Sequence, residues 1–126
     1  MLERLQAVVA ADEITTDPAE IAYLGHDVYS AGEAPLAVLR PATIDALQAA
    51  LQALAGTGVP LVPRGGGMSY TGGYLAALPG SLLVDLTRLD RVLEVNLEDM
   101  YVTVECGITW RALDEALAPH GVRPRF

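Results

Sequence analysis

The sequence predicts an α+β fold built from short strands in small mixed sheets. Three observations favour this class: a strand–helix–strand unit over residues 36–62, a glycine-rich loop directly after it, and a two-stranded hairpin over residues 92–105. Apolar residues make up 52% of the 126 residues and charged residues 19%, which is typical of a globular chain rather than a disordered one.

The first 34 residues are expected to form an N-terminal helix and a loop. Residues 2–11 predict a short helix because Leu5, Val8 and Val9 share one face. The stretch 15–34 is rich in turn-forming residues and has no apolar period, so we expect mostly loop there.

The strand–helix–strand unit begins with a short apolar strand over residues 36–40, which Pro41 ends. Thr43 is a good N-cap for the helix that follows, whose apolar residues recur at spacings of three and four. A second short strand contains Leu61 and Val62. This order predicts a right-handed crossover between two parallel strands.

The second half of the chain predicts three more strands and a helix. Residues 81–86 form an apolar strand, and residues 92–96 and 101–105 are expected to pair as a hairpin. Thr109 is the expected N-cap of a last helix, which ends near Gly121. The apolar face of that helix contains Trp110, Leu113 and Leu117.

The segment 63–73 contains five of the twelve glycines. Glycine reaches backbone conformations that turn successive N–H groups toward one concave side, and such a loop can surround a pyrophosphate. Ser69 and Thr71 offer additional hydroxyl donors. The alternative is a tight structural turn between two sheets.

Two familiar phosphate-binding motifs do not fit this segment. A P-loop needs Lys followed by Ser or Thr after its last glycine, and neither follows here. A dinucleotide-binding fingerprint needs its glycines to open a helix. Here Pro79 and Gly80 precede a strand, so the glycine loop connects strand to strand.

The formal net charge of −8 argues against nucleic acid and anionic membranes as partners, since no Lys/Arg stripe offsets it. No apolar run approaches the roughly 20 residues of a membrane span, and the first residues lack the order of a secretion signal. The single cysteine, Cys106, excludes an internal disulfide. We therefore expect a cytoplasmic protein.

Several single residues have competing interpretations. Arg64 either supports the charge of a pyrophosphate or anchors the loop, whereas Tyr70 is expected to be partly buried packing. Cys106 is expected to be a buried structural thiol. Asp85 and Glu105, at alternating strand positions, are expected to face solvent. The two histidines and one cysteine are too few for a typical zinc site.

The glycine segment resembles the pyrophosphate loop of FAD-linked oxidases in the vanillyl-alcohol oxidase superfamily. The similarity includes the flanking segments 38–41, 84–89 and 102–107, in the order that this family has them, and extends over residues 17–123. The family includes glycolate oxidase, D-lactate dehydrogenase-like enzymes and relatives that act on phenolic alcohols.

The resemblance implies that residues 35–126 are the N-terminal part of an FAD-binding domain of the PCMH type, with the rest of that domain and a substrate domain absent. It places the following residues at the cofactor: Pro63, Arg64, Gly65, Gly66, Gly67, Met68, Ser69, Gly72 and Gly107. Relatives with covalent flavin have histidine at the position of Met68. Methionine cannot form that bond, so the resemblance implies non-covalent FAD.

By the same resemblance, the parent enzyme would oxidise a small molecule, a 2-hydroxy acid, by hydride transfer to FAD, and no catalytic residue is assigned to this chain. One alternative is a non-catalytic subunit or interaction module whose glycine loop is only structural. Another is a different flavin enzyme on the same scaffold, such as the reductase of cell-wall precursor synthesis. An apolar face left by the missing half would be covered in a homo-oligomer or by a complementing subunit.

Overall fold

A computed structural model describes residues 1–125, and Phe126, the last residue of the expected FAD-binding part, lies outside them. Within that range the chain forms four α-helices and six strands. The helices are α1 (Leu2–Gln6), α2 (Pro18–Leu24), α3 (Ile44–Leu54) and α4 (Trp110–Leu117). The strands are β1 (Ile14–Thr15), β2 (Ala37–Leu39), β3 (Leu61–Arg64), β4 (Leu82–Asp85), β5 (Val92–Asn96) and β6 (Tyr101–Val104). The mixed α+β class with small sheets is therefore confirmed.

The larger sheet has the strand order β1-β2-β4-β3. β2 and β3 both run parallel to β4, so the predicted parallel direction is confirmed. The two strands are nevertheless not neighbours, because β4 lies between them. All four residues of β4 are buried, as expected of an interior strand covered on both faces.

Helices cover both faces of this sheet. Successive side chains of a strand point to opposite sides, so β2 and β4 contribute to two apolar clusters. The larger cluster joins these strands to α1 and α3, and its buried members are Leu5, Ala37, Leu39, Ala50, Leu54, Leu82 and Val84. On the opposite face, Val38 and Leu83 pack with Leu24 of α2.

The N-terminal segment is more regular than expected, and the prediction of mostly loop over residues 15–34 is wrong in its first part. Asp17 caps α2 because its Oδ1 accepts a hydrogen bond from the Ala19 amide at 3.2 Å, and Pro18 occupies the first helical turn. β1 pairs antiparallel with β2, so this segment also extends the main sheet. The first predicted helix is shorter than expected, ending at Gln6, and a short 3-10 helix follows over Ala11–Glu13.

The predicted caps and hairpin are confirmed. Thr43 Oγ1 accepts from the Ala46 amide at 3.1 Å and Thr109 Oγ1 accepts from the Ala112 amide at 3.1 Å. β5 and β6 pair antiparallel, with a register irregularity between Val92 and Glu94. None of the helices within residues 1–125 is long and apolar enough to cross a membrane.

Candidate functional site

The glycine loop leaves the main sheet at the carboxyl end of β3 and returns to it at β4, without an intervening helix in this part of the chain. It therefore connects strand to strand, as predicted. Gly67 and Gly72 adopt left-handed backbone conformations, with φ of 73° and 72°. Few residues other than glycine adopt these values without strain, so both positions shape the loop.

The first half of the loop presents a run of backbone donors. The amides of Gly65, Gly66, Gly67 and Met68 donate no hydrogen bond to any residue in the described range 1–125. A Cβ atom added to Gly65 or Gly66 would meet no atom within 4 Å. These two glycines therefore face open space with their amides available to a ligand.

Arg64 and Tyr74 fill the inside of the loop. The Arg64 guanidinium carbon lies 5.1 Å from the centre of the Tyr74 ring, an arrangement that permits a cation–π interaction. The Tyr74 hydroxyl lies 2.7 Å from the carbonyl oxygen of Gly67 and 3.1 Å from that of Ser69. A Cβ atom on Gly67 would collide with the Arg64 guanidinium. Arg64 therefore anchors the loop from within, and its positive charge lies directly against the loop backbone.

A cleft of about 460 Å³ lies between the glycine loop and the start of α4. It is lined by Gly66, Met68, Thr87, Asp90, Gly107, Ile108, Thr109, Trp110 and Ala112. Its volume falls within the range of small-molecule sites, roughly 300–1,000 Å³. The cleft thus brings together Gly66, Met68 and Gly107, which are distant in sequence.

Three other residues from the predicted set lie away from this cleft. Pro63 belongs to β3 and lines a separate groove with Leu61 and Leu78. Ser69 Oγ lies 3.0 Å from Thr71 Oγ1, which is a contact within the loop. The Gly72 amide donates to the Asp27 carboxylate at 3.0 Å.

Gly107 occupies a position where backbone segments approach closely. Its amide donates to the Leu89 carbonyl oxygen at 2.7 Å. A Cβ atom there would collide with the Leu86 carbonyl oxygen and lie 2.8 Å from that of Leu89. Glycine at this position lets the chain after β6 pack against the turn after β4, which closes one side of the cleft.

The expectation that Asp85 faces solvent is wrong. Asp85 is 2% exposed, and its Oδ2 accepts from Arg40 Nε at 2.6 Å. Its Oδ1 accepts from the Thr87 hydroxyl at 2.7 Å and from the Thr87 amide at 3.0 Å. Arg40 also pairs with Glu20 at 2.7 Å. Since Thr87 lines the cleft, this network fixes one wall of it.

The pKa of the Asp85 carboxyl is below its ordinary value despite its burial. Burial alone raises this pKa. Hydrogen bonds from the Thr87 hydroxyl, Arg40 and the Thr87 amide lower it, and their combined effect is larger than that of burial. Asp85 is therefore ionised at neutral pH and pairs with Arg40 as a carboxylate.

The same expectation is wrong for Glu105, which is 4% exposed. Arg91 binds this carboxylate with two side-chain nitrogens, at 2.7 and 3.1 Å, and with its backbone amide at 2.9 Å. These hydrogen bonds lower the pKa of Glu105, the side-chain contact most. Glu105 lies just before Gly107, so the pair fixes the segment that enters the cleft.

Three further expectations are wrong, because the side chains of Tyr70, Cys106 and Trp110 are all exposed. Tyr70 is 71% exposed, at the tip of the glycine loop. Cys106 is also exposed, in the turn between β6 and α4. Trp110, predicted on the packed face of α4, is 67% exposed, whereas Leu113 and Leu117 are buried.

No group of three or more His, Cys, Asp or Glu side chains suited to a metal ion occurs among residues 1–125.

Comparison with known proteins identifies the fold and the family. A family model described as FAD binding domain matches residues 35–126. The chain is 32% identical over 119 residues to the D-2-hydroxyglutarate dehydrogenase of Xanthomonas citri pv. viticola, covering 94% of this chain and 25% of that protein. It is 31% identical over 116 residues to the mitochondrial cytochrome-type D-lactate dehydrogenase of Kluyveromyces lactis, covering 90% of this chain and 20% of that protein.

Among solved structures, p-cresol methylhydroxylase with its substrate bound has the same fold. The TM-score is 0.76 at 18% identity, over 95% of this chain and 24% of that one. The chain thus spans a quarter or less of the length of each of these proteins. Since the family model matches well over half of it, the chain belongs to the FAD binding domain family.

Proposed function

We propose that the glycine loop of this chain binds the pyrophosphate of FAD. The observation that carries this proposal is the run of amides from Gly65 to Met68, which donate to no other residue in the range 1–125. Two residues of this run, Gly66 and Met68, line the cleft. Successive backbone N–H groups on one concave side attract phosphate oxygens without needing a positively charged surface. A chain with a net charge of −8 is therefore able to hold a doubly charged group.

The residues around the loop fit a pyrophosphate. Gly65 and Gly66 have no side chain to keep phosphate oxygens from the backbone, and the space beside them is open. The Arg64 guanidinium places a positive charge under the loop, and its buried Nε has no hydrogen-bond partner among residues 1–125. Ser69 is at the far end of the same run of amides. We propose Pro63, Arg64, Gly65, Gly66, Gly67, Met68, Ser69, Gly72 and Gly107 as the residues that hold or shape the site.

The FAD is proposed to be non-covalent. Met68 lines the cleft, and its thioether cannot form a stable covalent bond to the flavin. When bound, the flavin supplies the hydride chemistry, and the protein binds and orients it. In this chain the glycine loop, Thr87 and Gly107 perform the binding and orienting. No acid or base for substrate oxidation is proposed within residues 1–126.

We propose further that the whole protein oxidises a D-2-hydroxy acid. The support is that two relatives with more than 30% identity are named for D-2-hydroxyglutarate and D-lactate. Residues 35–126 would be the N-terminal part of the FAD-binding domain, preceded by the helical segment 1–34. Further polypeptide, in the same chain or in a complementing subunit, would supply the rest of the FAD-binding domain and the substrate domain.

The test uses the whole protein purified from its source, under anaerobic conditions. Addition of D-2-hydroxyglutarate or D-lactate is expected to bleach the absorbance of the bound flavin within seconds, because hydride transfer reduces it. The L-enantiomers serve as controls and are expected to bleach it at least about tenfold more slowly, since a misplaced α-hydrogen raises the barrier by more than 1.4 kcal/mol. Bound FAD that neither D-acid reduces would contradict the proposed substrate class while leaving flavin binding intact.

An oligomer or a complementing subunit is proposed on a separate observation. The hairpin of β5 and β6 exposes large apolar side chains, namely Leu93, Leu97, Met100 and Tyr101. Apolar groups gathered on one element mark a surface that another protein segment covers.

We also propose a cytoplasmic location, because the one cysteine is unpaired and free.

A further inference from the structure

We propose that residues 25–33, which precede the part matched by the family model, form part of the flavin site, with Asp27 as a positioning residue for the glycine loop. This inference rests on the proposed function, because it concerns how that loop is held for FAD. It adds a residue from outside the loop and outside the cleft lining.

Asp27 closes its own turn and holds the loop with the same carboxylate. Its Oδ1 accepts from the amides of Tyr29 and Ser30, both at 2.8 Å, and from the Ser30 hydroxyl at 3.2 Å. Its Oδ2 accepts from the amide of Gly72 at 3.0 Å, across 45 residues of sequence. Asp27 is only 6% exposed, so these contacts are shielded from water.

A second contact joins the same two segments. The Glu33 amide donates to the Ala76 carbonyl oxygen at 2.8 Å. A Cβ atom on Gly32 would lie 2.7 Å from that oxygen, so the two backbones touch and only glycine fits. Residues 72–76 are therefore held at both ends by the segment 25–33.

The anchored end determines where the free amides lie. Gly72 is in the left-handed region, and its carbonyl oxygen accepts from the Leu75 amide at 3.0 Å, which makes a tight turn. The other end of the loop is continuous with β3 at Arg64. With both ends fixed, the amides from Gly65 to Met68 lose less freedom when a phosphate binds them, and this preorganisation increases affinity.

A carboxylate is required for this role because it has two accepting oxygens. Hydrogen bonds from the Tyr29 and Ser30 amides lower the pKa of Asp27 most, and the Gly72 amide lowers it further, while burial acts in the opposite direction. An asparagine in the same place keeps one accepting oxygen. Its NH₂ group would face the Gly72 N–H, donor against donor.

The test compares Asp27→Asn with the wild type, each as the whole protein, by two measurements: the dissociation constant of the flavin-free protein for FAD, from quenching of flavin fluorescence, and hydrogen exchange of the Gly72 amide in the absence of flavin. We expect Asp27→Asn to bind FAD about tenfold more weakly, in line with losing one charge-assisted hydrogen bond. We also expect the Gly72 amide to exchange at least about tenfold faster.

Asp17→Asn is the matched control. Asp17 also accepts a backbone amide in the N-terminal segment, that of Ala19 at the start of α2, but has no hydrogen bond to the glycine loop within the described residues. It is expected to leave both measurements unchanged. If Asp27→Asn does not fold, Asp27→Ser replaces it, because serine keeps one short acceptor for the turn and lacks the second oxygen for Gly72.

Three results would overturn the inference: wild-type FAD affinity in the Asp27 variant, unchanged exchange of the Gly72 amide, or equal losses in Asp17→Asn. Whole wild-type protein without affinity for FAD would instead overturn the proposed function. In that case the exchange rate of the Gly72 amide still decides whether Asp27 holds the loop.

Discussion

Replacing Gly66 with valine is expected to weaken FAD binding by about a hundredfold and to leave the fold unchanged. A Cβ atom on Gly66 meets no protein atom within 4 Å, so the new side chain fits the chain itself. It would extend beside the cleft, into the space proposed for the pyrophosphate. Displacing the phosphate from two amides removes two hydrogen bonds to a charged group, about 1.5 kcal/mol each, and each 1.4 kcal/mol is a factor of ten.

The measurement is a fluorescence titration of FAD with each variant of the whole protein, together with urea unfolding to check stability. Gly73→Val is the matched control from the same loop. Gly73 has no strained backbone angle, and the nearest contact of an added Cβ is Thr71 Oγ1 at 3.7 Å. It lines the separate groove that contains Pro63, not the cleft. Equal FAD affinity in Gly66→Val and wild type would show that the loop is only a structural turn.

Gly107→Ala is expected to lower the free energy of unfolding by about 3 kcal/mol, the upper end of what an overpacked methyl group costs. The added methyl group collides with the Leu86 carbonyl oxygen and approaches that of Leu89. Both obstacles are backbone atoms, which move less readily than the end of a flexible side chain. The segment after β6 must shift, and the wall of the cleft with it.

Gly65→Ala is the matched control, because an added Cβ there meets nothing within 4 Å and the backbone angle is ordinary. Its free energy of unfolding is expected to stay within about 0.5 kcal/mol of wild type, as for other substitutions without new contacts. Urea unfolding measures both variants. Similar stability for Gly107→Ala and wild type would mean that the Leu86 and Gly107 backbones are not in close contact.

The sequence was sufficient for the elements whose signals are local. Thr43 and Thr109 are followed by helical apolar spacing, and both cap helices as predicted. The glycine loop connects two strands, β3 and β4. Pro79 and Gly80 indicated this, because they exclude a helix directly before β4. α2 was not predicted because it has only seven residues and no apolar period, although Asp17 followed by Pro18 is a local start signal for a helix.

The buried carboxylates show why strand periodicity alone misplaces charged residues. Alternation predicts a solvent-facing side only when one face of a sheet is open, and β4 is covered on both. Asp85 is compensated by Arg40, 45 residues away, and Glu105 by Arg91, 14 residues away. The Asp27–Gly72 contact spans 45 residues as well. Such pairings depend on the tertiary fold, which no local pattern specifies.

The most direct test of FAD binding at the glycine loop is an amide NMR titration of the whole protein, isotopically labelled, with FAD, repeated with riboflavin, which lacks the pyrophosphate. We expect FAD to shift the amide signals of Gly65, Gly66, Gly67 and Met68 more than any others. Riboflavin is expected to leave those four signals almost unchanged. FAD shifts confined to another part of the chain, or no shifts at all, would contradict the assignment of the loop as the pyrophosphate site.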